Sequence, residues 1–444
     1  MILAALWACV HSKAPGPSGG DADADTDTDT GSDGDTGSDG DTDSGGDTDT
    51  DTDTGMIVEP DCMPDGMDIP LDGLDQDCDG ADRVPSDENG IFVSASTGDD
   101  GNSGTMAAPV KTIQAGVVLV SSAKTSVYIA EGTYEEDVVL PDSLSVFVNL
   151  HGGFEAGTWT HDPTGHVVRL VGIETAIEAP GVQSNVLVDA LDVVAPTGVR
   201  VALGHFTWIH ASTIHALGAA ATESFGVYFS NDNGAILIED SVITGGSAGT
   251  SNAVWIGGSG TIRRSTIQGG SQADPADDFL TTGLYFVDHS LEVTNSWIDG
   301  GDGGTGEATA IRACSTWDHA TFVNDHVHAG RTDAGTGLAF QPCAGLEIVN
   351  AYVWADAEQT LATAGVWEGQ ELLHNAFSGP FTDVDLDVLN ADGEGNIAAA
   401  CDVTAGTCVD AGIDPTDYAS VPDDHEGDPR PAGLTWDIGW DEAR

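Results

Sequence analysis

Basic residues are scarce in this chain: 12 Lys and Arg stand against 74 Asp and Glu over 444 residues, a net charge of −62. The imbalance runs along the whole length. Residues 21–55 carry 14 Asp and no base, residues 56–89 carry 11 acids and one Arg, and residues 90–444 carry 49 acids against 10 bases. Binding nucleic acid or an anionic membrane surface needs clustered Lys and Arg. Neither is therefore expected as a direct partner. No apolar run past the first residues approaches the ~20 a membrane-spanning helix needs, and no phosphate-binding loop is present. An acidic surface of this kind suits a saline or Ca²⁺-rich exterior, where it keeps the folded body soluble.

What the sequence has is a period. A tetrad of Gly or Ala, an apolar residue, any residue and usually a second apolar one begins at Gly198, Gly226, Ala253, Gly283, Ala310, Gly337 and Gly365. Successive copies lie 28, 27, 30, 27, 27 and 28 positions apart. One short strand per ~25–30 residues, with turns between, is the mark of a stacked solenoid. A second apolar element runs in step: Ile209–Ile214, Ile238–Ile243, Ile262–Ile267, Val293–Ile298, Phe322–Val327, Ile348–Val353 and Leu372–Phe377. Ser212, Ser241, Ser265 and Ser296 share its fourth place, where Asp325 and Ala351 follow. Two β-branched elements per repeat, bounded by Gly, argue for strands over helix pairs. Asn295, Asn324 and Asn350 share one position, which suits a tight left-handed corner. The expected fold is all-β: a right-handed parallel β-helix of about ten rungs, with Val227, Phe229, Val254, Ile256, Leu284 and Phe286 inward.

Ahead of the body lie three different stretches. Residues 1–9 end in Leu6-Trp7-Ala8-Cys9. Residues 10–55 are Gly, Ser, Thr and Asp almost throughout, too poor in apolar surface to offset their ordering entropy, and read as a disordered, self-repelling tether. Residues 56–89 are rich in Asp and hold Cys62 and Cys78. Within them Asp75-Gln76-Asp77-Cys78-Asp79-Gly80 has acids at positions one, three and five and Gly at six of a Ca²⁺ loop, while Ser86 stands where a bidentate acid would close it. Asp75, Asp77, Asp79 and Asp82 are the candidate ligands of Ca²⁺, against the plainer reading of an acidic, disulfide-clipped linker. Six cysteines after Cys9 suggest three disulfides in an exported protein: Cys62–Cys78, Cys314–Cys343 and Cys401–Cys408.

Three resemblances add to this. The first residues resemble the lipobox of bacterial lipoproteins, in which the Cys is lipidated, so the resemblance implies a lipid anchor on Cys9 and a place at the outer membrane or cell surface. Leu71–Asp82 resembles the Asp/Cys-rich metal-binding motif of secreted bacterial surface proteins, with Leu71 where those carry a Cys. Pro109-Val110-Lys111-Thr112-Ile113-Gln114, followed by Val127-Tyr128-Ile129-Ala130-Glu131-Gly132-Thr133-Tyr134, looks like the start of pectin-lyase-like right-handed β-helix proteins. That resemblance spans residues 90–440, with Asp428-Pro429-Arg430-Pro431 and Asp437-Ile438-Gly439 similar to the tails of such proteins. It implies a cap and first rungs over 90–155, a helix near 109–121 closing the open end, regular rungs over 185–380 and a C-terminal cap over 381–444. The fold hosts lyases, hydrolases, adhesins and inert stalks alike.

Strand alternation sends the third residue of each tetrad outward. That column reads Arg200, Tyr228, Trp255, Tyr285, Arg312, Ala339 and Trp367. Its aromatic residues, with Arg200, Arg312 and Trp367, are the candidate glycan-binding face. The bland alternative is that loops fold over them. On the second element His326 and His328 flank inward Val327, with Trp297 and Asp299 in register one rung earlier. They read as surface histidines more readily than as a metal or acid–base pair. No catalytic set stands out: Asp240, Asp299 and Asp325 fall in different columns. The expectation is an exported, lipid-anchored β-helix that binds extracellular polysaccharide or another cell-surface component without catalysis. The alternatives are a polysaccharide lyase or glycoside hydrolase, and an inert spacer. A carboxylate pair beside Arg in an open groove would favour the enzyme.

Overall fold

The computed structural model describes residues 62–439 apart from several stretches, chiefly 142–146, 181–184, 203–205, 219–222, 272–278, 314–319, 343–345, 357–361, 364–370, 382–395 and 399–407. Cys9, Cys314, Cys343, Trp367 and Cys401 lie outside the described residues. Described strands all pair in parallel, in an 18-stranded sheet and an 11-stranded sheet. One turn shows the plan. Thr197–Ala202 and Phe206–His210 belong to the larger sheet, and Thr213–Ala216 belongs to the smaller. The chain then climbs one rung and repeats, pairing Val199 with Val227 and Ile214 with Ile243. Parallel strands joined by such crossovers wind right-handed, and the fold is a right-handed parallel β-helix.

A turn of this kind has three strands, one more than the repeat suggests, although in two turns the first two run together as Glu223–Glu239 and Thr250–Arg263. The second apolar element is two strands hinged at a corner. There the backbone turns left-handed at Ala211, Asp240, Arg264, Asn295, Asn324, Asn350 and His374, with φ between 45° and 57°. Asn meets that demand most easily, but the others adopt it too. The next residue faces inward and solves a hydrogen-bond problem. Ser241 Oγ accepts the Ser212 N–H at 3.1 Å and donates to its own rung at the Glu239 carbonyl at 2.7 Å. Ser265 and Ser296 repeat the pattern, and Asp325 Oδ1 accepts the Ser296 N–H at 2.8 Å. Asn375 and Asn396 continue it further along. A column of small polar side chains thereby satisfies buried donors that the corner leaves over.

The interior is apolar elsewhere. Val227, Phe229, Val254, Ile256, Leu284 and Phe286 are all fully buried, as the tetrad pattern predicts, and each such side chain contributes ~1.5–3 kcal/mol by leaving water. At the first rungs the helix Ile113–Val118 covers the open end. Thr112 caps it, and the Glu136 carboxylate accepts the Ile113 and Gln114 N–H groups at 2.8 and 2.9 Å. It is shorter than the expected 109–121, but Ile113, Val117 and Val120 face inward as their spacing requires.

Both flanking segments dock on the larger sheet. Met67 and Ile69 pack on the outward column Leu187, Trp208 and Leu237, so the Asp/Cys-rich segment is pinned to the solenoid. Near the far end, Ala419, Val421 and Trp436 cover Val323 and Val349. Two of the corner asparagines hold this strap: Asn295 Nδ2 donates to the Asp423 carbonyl, and Asn350 Nδ2 to that of Ile413.

Candidate functional site

The aromatic column forms, but its chemistry differs from a flat platform. Arg200, Tyr228, Trp255, Tyr285 and Arg312 are register partners on successive rungs. Tyr228 and Trp255 stack face to face, with centroids 4.6 Å apart and planes 11° from parallel. Tyr285 and Trp255 meet edge to face, with centroids 6.4 Å apart, and the Arg200 and Arg312 guanidinium groups cap the two ends at 5.6 and 5.4 Å from the ring centroids. The Trp255 ring also leans over Gly257, where an added Cβ would lie 2.6 Å from it. Ring faces are therefore spent on neighbouring rungs, and all three rings are half-buried. Both arginines have acidic partners, Glu178 at 3.5 Å and Glu307 at 2.8 Å. Ala339 does not belong to the column. Arg312 pairs with Gln341, because Phe340 takes the inward slot opposite Ile311 and sets the register two residues later than the tetrad suggests.

The Asp/Cys-rich segment brings three of its four candidate Ca²⁺ ligands together. Asp75, Asp77 and Asp79 each present an oxygen within 4.8 Å of the others. Asp75 Oδ1 is buried without a hydrogen-bond partner, as a cation ligand would be. The all-oxygen donor set fits Ca²⁺. Asp82 is occupied elsewhere, accepting the Leu71 and Gly73 N–H groups at 2.9 and 3.0 Å. Cys62 and Cys78 are bonded, with Cα atoms 5.4 Å apart. Cys408 is also disulfide-bonded.

A second cluster, His210, Glu239 and Asp240, is closed off by arginines. Arg263 reaches Glu239 at 2.6 Å, Arg264 binds Glu239 and Asp240, and Arg264 is further held by Asp423 at 3.3 Å. His210 and the fully buried His151 share Asp189 between them, at 2.8 and 3.1 Å. Burial opposes the Asp189 charge, and the two histidine N–H groups overcome it, holding its pKa low.

The open site lies on the smaller sheet, at the turns that follow it. A cleft of about 310 Å³ is lined by Thr244, Gln268, Ser271, Asp299, Asp302, His328 and Arg331 over a glycine floor. Its side chains form a grid. Gln268, Asp299 and His328 are register partners on three rungs, and so are Ser271, Asp302 and Arg331 beyond the intervening Gly or Ala pairs. The floor must be glycine. A Cβ on Gly270 would lie 1.8 Å from the Gly246 carbonyl oxygen, and Gly301, at φ +81°, would meet the Gly270 oxygen at 2.3 Å. Asp299 accepts the Gly301 N–H at 2.6 Å and pairs with His328 Nδ1 at 3.1 Å. Arg331 holds Asp356 at 3.1 Å. Here a carboxylate pair does stand beside Arg.

Sequence reasoning had Asp299 and His328 on one face but missed Gln268, Ser271, Asp302, Arg331 and Asp356. A signal was available: each of Ser271, Asp302 and Arg331 follows the inward residue Ile267, Ile298 or Val327 by four. His326 parts from His328. Aromatic neighbours and Gly439 enclose it, and burial, with Arg430 and His425 nearby, pushes its pKa down to about 3. Gly245-Gly246-Ser247-Ala248-Gly249 has the spacing of a nucleophile elbow, yet it leads from strand to strand, and the Ser247 hydroxyl donates to the Leu217 carbonyl.

No known protein family matches the sequence, and no curated protein is similar to it. Among solved structures the chain is similar to one described as the crystal structure of pectate lyase Pel9A, at 13% identity, over 81% of this chain and 98% of that one, with a TM-score of 0.47. The activity in that description is said of that protein, and the fold of this one stands on its own strand pairing. By fold, the chain is a right-handed parallel β-helix.

Proposed function

We propose that this protein is exported and holds an extracellular polysaccharide along the flank of its β-helix, with the cleft over Gly269, Gly270 and Gly301 as the seat. The observation that carries the reading is the grid of Gln268, Ser271, Asp302 and Arg331, which line one open cleft. An amide, a hydroxyl, a carboxylate and a guanidinium side by side offer both donors and acceptors, as vicinal sugar hydroxyls require. Rungs ~4.8 Å apart repeat the offer along the axis, so an extended chain can be read over several sugar residues without ordering any loop. The aromatic column supports the seat from the neighbouring face as a stiff spine, with ring edges left for a ligand. Lipidation at Cys9 and the tether would lift the body from a membrane, and Ca²⁺ on Asp75, Asp77 and Asp79 would brace the pinned segment.

A second reading, cleavage of the bound polysaccharide, is favoured by two features: the Asp299 and Asp302 carboxylates line the cleft with Arg331, and Asp299 pairs with His328 Nδ1, an arrangement used for acid–base chemistry. Retention of the full chain on a panel of insoluble polysaccharides tests the first reading. Arg331→Ala with Gln268→Ala should abolish retention, while Trp255→Ala should keep it. Retention untouched by the double change, or absent for every polysaccharide, would overturn the proposed seat. Release of reducing ends or unsaturated products from a retained polysaccharide would favour cleavage.

A further inference from the structure

The walls of the cleft stand in pairs, one pair per rung, with two residues between: Gln268 and Ser271, Asp299 and Asp302, His328 and Arg331. Thr244 and Ser247 repeat the spacing one rung earlier, with Thr244 in register with Gln268. Between the walls lie Gly245-Gly246, Gly269-Gly270, Gly300-Gly301 and Ala329-Gly330, and the Ala329 methyl packs into the apolar core. The cleft is therefore a trough along the solenoid axis, with polar walls and a floor of four rungs that carries no side chain. The floor's own backbone groups are largely spent between rungs. Gly269 and Gly300 N–H donate to the Asp299 and His328 carbonyls, and Asp302 and Arg331 N–H to those of Gly270 and Gly301. Hydrogen bonds to a ligand fall to the walls.

Both ends of this floor are closed by side chains. His215-Ala216-Leu217 precedes it and Trp354-Ala355-Asp356 follows it, His215 and Trp354 being register partners of Thr244 and His328. Leu217 thus takes the place of Gly246, and the Ser247 N–H bond to its carbonyl repeats that of Asp302 to Gly270. Asp356 takes the place of Gly330. The Leu217 side chain is 48% exposed, and Asp356 turns to Arg331 at 3.1 Å.

The rung spacing of ~4.8 Å is close to the rise of one residue in an extended pyranose chain. A floor without side chains fits the flat C–H face of a sugar ring, while walls on both sides meet the hydroxyls at its rim. An axial linkage would coil the chain out of a straight trough, and a branch would strike a wall. From this geometry, resting on the polysaccharide reading above, we infer that the trough selects an unbranched, equatorially linked pyranose chain and holds four of its residues, one per rung.

The test is calorimetric titration of the full chain with unbranched β-1,4-linked oligomers of glucose, mannose and xylose, from dimer to hexamer. An α-1,4-linked glucose hexamer and a xylose-branched β-1,4-glucan oligomer serve as contrasts. For the sugar that binds, affinity should rise by about threefold or more per residue up to the tetramer, the scale of one neutral hydrogen bond, and then level off. The α-linked and branched oligomers should bind about tenfold or more weakly, the loss of one or two such bonds. Leu217→Gly lengthens the floor by one rung and should move the levelling to the pentamer, with tetramer affinity unchanged. Equal affinity for branched or α-linked oligomers would overturn the inference and leave the polysaccharide seat standing. So would affinity in the parent that keeps rising past the tetramer, or levelling that stays at the tetramer in Leu217→Gly. Absence of binding to every oligomer would overturn it too, and the retention assay above would then decide the seat by itself.

Discussion

The column from Arg200 to Arg312 and the grid from Gln268 to Arg331 are made by the same device, one side chain per rung at ~4.8 Å, and they end in opposite states. In the column, adjacent rungs carry groups that satisfy each other: ring on ring, and guanidinium on ring. In the grid, adjacent rungs carry unlike polar groups, which line an open cleft and pair across rungs only in part, as Asp299 does with His328 at 3.1 Å. A solenoid places every residue beside its equivalent in the next turn. Like beside like gives a stiffener, and unlike beside unlike gives a surface with capacity to bind. Aromatic residues on the outside of a β-helix are therefore poor evidence for a sugar platform until their stacking is known.

The largest expected effect sets the interior against both. Leu284→Ala should cost ~2–5 kcal/mol, as a methylene-rich side chain is lost from a site too enclosed to collapse, read as a fall in the urea midpoint. Trp255→Ala should come next. It removes a face-to-face and an edge contact, each worth ~0.5–1.5 kcal/mol beyond area burial. It should lower stability by ~1–3 kcal/mol and leave polysaccharide retention intact. Lost retention with unchanged stability would mean the column binds after all.

Asp325 sharpens the comparison from inside. It occupies the place of the corner serines, and burial raises its pKa well above the ordinary carboxylate value, Arg430 only partly offsetting this. In the unfolded chain it ionises near pH ~4. As pH rises from there, the folded state retains the proton and loses relative stability until the folded group ionises too. Asn already fills the equivalent corner at Asn375 and Asn396, each accepting a backbone N–H and donating to a carbonyl. Asp325→Asn should therefore match the parent at pH 4 and exceed it at pH 7 by ~1 kcal/mol or more. Equal midpoints at both pH values would show that Asp325 is not the neutral member of the ladder.

Much of the architecture was legible because it is periodic. Tetrad spacing gave the inward residues, and the shared Ser and Asn positions marked the corner before its geometry was known. The third strand was not legible, since two short strands around a left-handed residue read as one apolar run. Nor was the register at Phe340, which pairs with Ile311 two residues away from the tetrad alignment. The site was least legible. Its residues sit in turns after the apolar pattern has ended, and their grouping depends on glycine contacts between rungs that no residue type announces.

The smallest stability effect gives the cleanest contrast, because the same residue type occurs in both regions. Arg312 is partly buried, with its side chain 23% exposed, over the Tyr285 ring and against Glu307. Arg331 is 66% exposed, with Asp356 as its ion-pair partner. An exposed ion pair is worth ~0–1 kcal/mol and weakens with salt, whereas a desolvated cation–ring contact adds up to ~2 kcal/mol. Arg312→Gln should thus cost ~1–2 kcal/mol, little changed by salt, and spare retention. Arg331→Gln should cost ~0–1 kcal/mol, vanish in molar salt, and abolish retention of a neutral polysaccharide. Were the two substitutions to exchange these outcomes, the column would be the binding face and the grid a surface network.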